Sequence, residues 1–216
     1  MKSLGGWFKD LLFPKFCVSC NHEDVWLCDR CAKVTLEKEK LPQEKMSLTT
    51  PNADKVIALF HFGENNISAL IKMLKYNSLS EIGVEFEKII AGVELALPLQ
   101  DFVIIPVPLH VRRERERGFN QAAILAQVFA KKFDLKVGSQ LQRSIYTKQQ
   151  ATLSAAERSV NLREAFIYNH GNEPVPEKVL LVDDVYTTGA TMDECAKVLK
   201  QQGVQTVWGL ALAHGG

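Results

Sequence analysis

The chain has 216 residues, of which 46% are apolar and 24% charged, with a formal net charge of +1. Such a composition fits one good-sized α/β domain with a small appendage and excludes a polycation, so any contact with nucleic acid or a membrane surface must come from a local patch. No apolar run approaches the roughly 20 residues needed to cross a bilayer, so no membrane span is expected.

The opening "MKSLGGWFKDLLFPKF" carries Lys9 and Asp10 just before a short Leu-Leu-Phe. Without a long apolar core or a small-residue cleavage site, it reads as an amphipathic helix over Leu4 to Phe13 that Pro14 ends, not as a signal peptide. The expected compartment is the reducing cytoplasm. Four of the five cysteines come next: Cys17 and Cys20, then seven residues, then Cys28 and Cys31. Each C-x-x-C pair is a tight turn that aims two sulfurs at one point. Two such turns facing each other make a tetrahedral thiolate cage for structural Zn²⁺; disulfide pairing is the alternative, disfavoured where thiols stay reduced. About 15 residues cannot bury a core, so metal binding would supply the folding free energy of this module. His22 reads as a surface residue because four sulfurs already fill the shell.

From Lys33 to Thr50 the chain is polar and rich in Lys and Glu, which predicts a helix tail and a linker. The expected organisation is residues 1–50 as N-terminal helix, metal module and linker, and residues 51–216 as the main domain. Within it, Lys55 to Phe62 predicts a strand and Asn65 to Tyr76 a helix, with Ile67, Leu70, Ile71 and Leu74 on one face. Gly83 to Leu95 predicts a second helix, "DFVIIPVP" a strand ended by prolines, and Phe119 to Phe133 a strong amphipathic helix. Ser154 and Glu157 form a capping-box pattern for a short helix, and Ala165 to Tyr168 a further strand. Then come strand Lys178 to Val182, helix Ala190 to Gln202 with Gly203 as its cap, and strand Val204 to Ala213. Cys195 on that helix, beside Ala196 and Val198, reads as a packed core residue. Apolar strands alternating with helices predict an α/β fold with a parallel sheet covered on both faces.

The most informative stretch is "VLLVDDVYTTGAT", Val179 to Thr191. Ligands of open α/β sheets sit beyond the carboxyl ends of strands, and the amides at a following helix start favour an anion. Gly189 permits close approach, while Thr187, Thr188 and Thr191 offer hydroxyl donors, so the turn suits a phosphate group. Asp183 and Asp184 would repel that phosphate but suit vicinal hydroxyls attached to it, or Mg²⁺. A phosphate joined to a diol is a ribose phosphate. An acidic helix cap on a core strand is the plainer alternative, and it accounts for one Asp better than for two.

This stretch resembles the signature of type I phosphoribosyltransferases, which bind phosphoribosyl pyrophosphate (PRPP). The resemblance implies that Asp183 and Asp184 contact the ribose hydroxyls and that the run Val185, Tyr186, Thr187, Thr188, Gly189, Ala190 and Thr191 surrounds the 5-phosphate. Purine-salvage members often carry an Asp where Thr187 stands, so the chain departs from a hypoxanthine or guanine salvage enzyme. A wider resemblance links the four-cysteine module, "LKY" (Leu74 to Tyr76), "PVPLHVRRERERGFNQ" (Pro106 to Gln121), the stretch Leu141 to Phe166 and the PRPP motif. In this order they resemble the ComF family, zinc-finger proteins with a phosphoribosyltransferase-like sheet, associated with DNA uptake in natural transformation. The resemblance implies Zn²⁺ in the module and Mg²⁺ with PRPP, and places Lys72, Lys75 and Tyr76 near the pyrophosphate.

Arg112, Arg113, Arg115 and Arg117 follow a proline-ended strand, and their planar guanidinium forks match phosphate oxygens, of pyrophosphate or of a nucleic-acid backbone. Glu114 and Glu116 partly offset that charge, so a solvated loop is the alternative. Arg143, Thr147, Gln150, Arg158 and Asn161 lie in a polar stretch that reads either as a flap closing over ligand or as an ordinary surface excursion. Two functions follow. One is Mg²⁺-dependent transfer of phosphoribosyl to an acceptor nitrogen, with Asp183 and Asp184 at the reacting sugar. The other is a non-catalytic protein that binds PRPP, a nucleotide or single-stranded DNA in an uptake complex, with a DNA-uptake helicase as partner. A strand-binding groove usually interleaves aromatics with basic residues, and none lies between Arg112 and Arg117.

Overall fold

The computed structural model describes residues 14–42, 46–76, 80–145 and 164–215, without the side chains of Tyr76 and Ser80. The predicted helix over Leu4 to Phe13 and the capping box at Ser154 lie outside these residues. Among the described residues, no helix is long and apolar enough to cross a membrane.

The main sheet has six strands: β1 (Ser47–Leu48), β2 (Lys55–His61), β3 (Phe102–Pro106), β4 (Lys136–Val137), β7 (Lys178–Tyr186) and β8 (Thr206–His214), in spatial order β1-β2-β8-β7-β3-β4. All pairings are parallel except β1 with β2, so the expected parallel sheet is present and carries one short antiparallel edge strand. The helices are α1 (Asp29–Lys38), α2 (Asn66–Tyr76), α3 (Gly83–Ala91), α4 (Val111–Arg117), α5 (Gln121–Phe133) and α6 (Ala190–Gln201). A separate antiparallel pair, β5 (Leu141–Arg143) with β6 (Phe166–Tyr168), packs beside α6. The predicted strand at Ala165 to Tyr168 therefore exists but belongs to this second sheet.

β7 lies at the centre, between β3 and β8, and is buried on both faces. Leu180 and Val182 join the core made with α2, α3 and α5, whereas Val179 and Leu181 join the core under α6. The strand continues past the predicted end at Val182, because β8 supplies pairing partners as far as His214 opposite Tyr186. Asp183 and Asp184 thus lie within the last turn-ward stretch of the strand, with Val185 and Tyr186 beyond them. Cys195, on the inner face of α6, is fully buried, and burial, then the charge of Asp183, pushes its thiol well above the ordinary range, as befits a packed core cysteine.

The expected loop at Arg112 to Arg117 is a helix, α4. His110 caps its start by accepting from the Arg112 amide at 3.1 Å, and Gly118 ends it in the left-handed region at φ 86°. A run of alternating Arg and Glu has good helix propensity once both ends are capped.

The cysteine module packs directly onto the sheet domain. Cys17, Leu27, Cys31 and Ala32 belong to the same core as Ile67, Leu70 and Phe86. At the end of α1, the half-buried Glu39 carboxylate accepts from the amides of Asn66 at 3.2 Å and Ile67 at 3.0 Å, and so caps α2. Asn66 Nδ2 donates to Thr35 Oγ1 at 3.0 Å. An anionic cap on a helix start satisfies orphan amides and complements the helix dipole. Replacing Glu39→Ala should lower the unfolding free energy by about 1–2 kcal/mol, and Glu39→Gln by less. Urea unfolding of the metal-loaded protein measures both, and an unchanged midpoint for the alanine variant would refute the cap.

Candidate functional site

The carboxyl ends of β2, β3 and β7 open into a cleft of about 480 Å³, within the size range of small-molecule sites. Its floor is the end of β7. Strand alternation turns Asp184 toward α2, where Lys75 Nζ lies 2.9 Å from its Oδ2, and Asp183 toward the side of Cys195 and Arg143. Asp183 Oδ1 also accepts from the Asp184 amide at 2.8 Å. Both aspartates line the cleft, so neither is sealed away from it.

The turn after β7 forms the second wall. Gly189 has φ 78°, and a Cβ there would collide with the Tyr186 ring. That ring is fixed by a hydrogen bond from its hydroxyl to the Thr49 carbonyl at 3.0 Å. α6 begins at Ala190, whose amide donates to Thr188 Oγ1 at 3.5 Å. Asp193 in the first turn accepts from the Asn52 amide and side chain at 2.8 and 2.9 Å, locking α6 to the segment before β2. Val185, Tyr186, Thr187, Thr188, Gly189, Ala190 and Thr191 all line the cleft. A helix start with small, hydroxylated neighbours is suited to a tetrahedral anion.

The third wall is cationic. α4 splits the four arginines by helical spacing: Arg113 and Arg117 line the cleft, whereas Arg112 and Arg115 line a separate surface depression with His110 and Glu116. Arg112 Nε pairs with Glu116 Oε1 at 3.2 Å. Arg117 donates to Gln121 Oε1 at 2.9 Å. Lys72, Lys75 and Arg143 complete the cationic lining, giving five cations against two carboxylates among the described residues. Arg143, only 8% exposed, reaches the cleft because β5 is tied to the start of α4 by a bridge between Arg143 and His110. The Tyr76 side chain and Thr147, Gln150, Arg158 and Asn161 fall outside the described residues.

The electrostatics differ across the acid pair. Burial, then the adjacent Asp184 carboxylate, pushes the Asp183 carboxyl up to about 7, although Lys75, the Asp184 amide and Arg143 pull the other way. Burial opposes the charge on Lys75, but Asp184 and then Asp183 outweigh it and hold the ammonium above its ordinary value. Burial, reinforced by Arg113, holds the Arg143 guanidinium below its ordinary value.

Two further polar residues belong to the cleft. Asn120 caps α5 by accepting from the Ala122 amide at 3.0 Å and donates to the Val107 carbonyl at 3.0 Å, fixing the segment after β3; Gln121 holds Arg117. The sequence pattern predicts a helix starting at Phe119 with Asn120 inside it, whereas the helix starts at Gln121 and Asn120 is its N-cap, a role Asn favours.

Away from the cleft, Cys17, Cys20, Cys28 and Cys31 gather with all sulfurs within 4.8 Å of one another. Cys20 and Cys28 Sγ are 3.7 Å apart, close to the roughly 3.8 Å edge that tetrahedral Zn–S bonds of about 2.3 Å require. No pair among them is joined as a disulfide. Burial opposes a Cys17 thiolate, yet the amides of Cys28, Ser19 and Cys20 outweigh it and hold the thiol down at about 6. The donor set is compatible with structural zinc, and His22 is not part of it.

Comparison with known proteins agrees with this geometry. The phosphoribosyl transferase domain family matches residues 115–214. "Competence protein F" of Haemophilus influenzae is 33% identical over 213 residues, covering 93% of this chain and 86% of that protein. "DNA utilization protein YhgH" of Escherichia coli K12 is 30% identical over 199 residues, covering 88% and 85%. "Competence protein ComFC" of Bacillus subtilis is 36% identical over 106 residues, covering 49% and 41%. With a phosphoribosyltransferase-type sheet, a four-cysteine cluster in front of it and the Haemophilus and Escherichia relatives similar over most of their length, the chain belongs to the ComF family.

Proposed function

We propose that the cleft binds PRPP and that the protein is a phosphoribosyltransferase-like protein of DNA uptake. The observation that carries this reading is the pairing of two unlike halves in one cleft: carboxylates at the end of β7, and a helix start ringed by threonines and cations beside them. The 5-phosphate would lie at Thr187 to Thr191, the ribose hydroxyls would donate to Asp183 and Asp184, and Arg113, Arg117, Lys72 and Lys75 would face the pyrophosphate. The carboxylates are hard oxygen donors that fit Mg²⁺, which when bound would spread the charge of the pyrophosphate leaving group. In transfer, an acceptor nitrogen forms the C–N bond as the C–O bond to pyrophosphate breaks with its electron pair, and the acceptor's proton passes to solvent. Asp183 and Asp184 would orient the ribose beside the cationic sugar carbon, and the arginines would stabilise the departing anion. Zn²⁺ in the cysteine cage would act as a structural ion, closed to substrate by its four sulfurs.

A second reading rests on the outward pair Arg112 and Arg115, which could hold a phosphodiester backbone of single-stranded DNA outside the cleft. Glu116 beside Arg112 reduces the net charge there. If this surface holds DNA, the double variant Arg112→Ala/Arg115→Ala should flatten the salt dependence of strand retention by roughly two phosphate contacts. Unchanged retention across a salt series would exclude that face.

Titration calorimetry with PRPP and Mg²⁺ tests the main reading. Asp183→Asn and Asp184→Asn should each weaken binding at least about ten-fold, and affinity equal to wild type would reject the site. Stability supplies a separate check. A carboxyl whose folded pKa exceeds its unfolded value binds more protons when folded, so its contribution is full below about 4 and is lost as the pH rises toward about 7. Asp183→Asn, which keeps an acceptor for the Asp184 amide, should therefore gain about 1–3 kcal/mol over wild type at pH 8, and the gain should vanish near pH 4. Denaturant midpoints across that range measure it; a variant less stable than wild type at pH 8 would mark Asp183 as a structural acid.

A further inference from the structure

α2 is anchored along one face and at its start. Ile67, Leu70, Ile71 and Leu74 are all fully buried, and Glu39 fixes the first turn through two amides. At the other end of this helix, Lys75 Nζ reaches 2.9 Å from Asp184 Oδ2, with side-chain exposures of only 24% and 11%. Both residues line the cleft, so the contact is made at the place where a cation would approach the acid pair from the α2 side. A lysine so placed is not a free pyrophosphate donor waiting for ligand: its charge is already engaged. Its attraction to Asp183 as well as to Asp184 keeps it protonated despite burial.

We propose that Lys75 is the resident counter-ion of the Asp183–Asp184 pair and keeps free divalent cations out of the cleft. The physical ground is competition at one carboxylate. A hydrated divalent ion arriving alone must displace an ammonium that is poorly hydrated, tethered and already in contact, and it must do so beside four other cationic side chains of the lining. Those same cations favour an anion, so a divalent ion gains entry when it arrives neutralised by phosphate oxygens. On the PRPP reading, on which this last step rests, the ribose hydroxyls would then take over Asp184, and Lys75 would turn to the ligand's phosphates. Lys75 would thus order the events in the cleft: phosphate ligand with its cation together, never the cation first.

The test uses Mn²⁺ alone, without PRPP, so its outcome is independent of whether PRPP is the ligand. Zinc-loaded full-length protein, with the cysteine cage filled, is titrated with Mn²⁺ and free ion is counted by electron paramagnetic resonance. Wild type and Lys75→Arg should show no site that depends on Asp184 below roughly 1 mM. Lys75→Met should acquire one at least about ten-fold tighter, and the added change Asp184→Asn should abolish it. Binding by wild type that disappears with Asp184→Asn would overturn the proposal, as would a folded Lys75→Met protein with no gain. Should Lys75→Met fail to fold, the comparison of wild type with Asp184→Asn still decides: equal Mn²⁺ counts support exclusion, and a loss in the variant refutes it.

Discussion

A carboxylate at the end of a strand covered on both faces is tolerable only beside a cation or an opening to water. β7 is such a strand, and it carries two carboxylates in succession near its carboxyl end. Alternation sends them to opposite faces, and each finds a different solution: Asp184 meets Lys75, whereas Asp183 looks into the cleft with Arg143 nearby. Much of the surrounding architecture serves these two positions. β8 extends alongside β7 to Tyr186, α2 brings a lysine, and the β5–β6 pair brings an arginine.

The acid pair is also where the fold gives up stability. Burial raises the Asp183 carboxyl to about 7, so near neutral pH its charge is bought against the folded state. Perturbed carboxyls in clefts are concentrated at functional sites because the same burial that disfavours them strengthens what they do to a ligand. A cleft lined by more cations than acids carries a net positive field, which favours polyanionic ligands.

Much of this was legible in the chain. Val179 to Thr191 announces itself because an apolar run, two acids and a glycine-bearing hydroxylated turn are all local signals, and the structure places them at a strand end and helix start as such signals imply. The two C-x-x-C pairs are equally local, and their sulfurs do converge. What was hidden depends on distance or on helical phase. The four arginines of α4 look equivalent in a row, but a helix sends Arg113 and Arg117 one way and Arg112 and Arg115 another. Lys75 and Asp184 meet only after the whole sheet is assembled, and nothing near either residue names the other. Glu39 sits in a polar stretch that reads as linker, because a cap for a helix that begins a whole strand later leaves no periodic trace. The continuation of β7 through its aspartates was obscured for a related reason: charged residues argue against a strand unless a neighbouring strand is known to reach that far.

Glu39 and Thr35 sew the end of the cysteine module to the first turn of α2, the helix that delivers Lys75 to the cleft. The module is therefore not an exchangeable cassette. A chimera that takes residues 14–42 from one relative and the sheet domain from another would splice a foreign carboxylate onto a helix start shaped for this one. Junctions that respect the fold fall after α2, so that the cage, the acid at position 39 and the lysine at position 75 are inherited as one block.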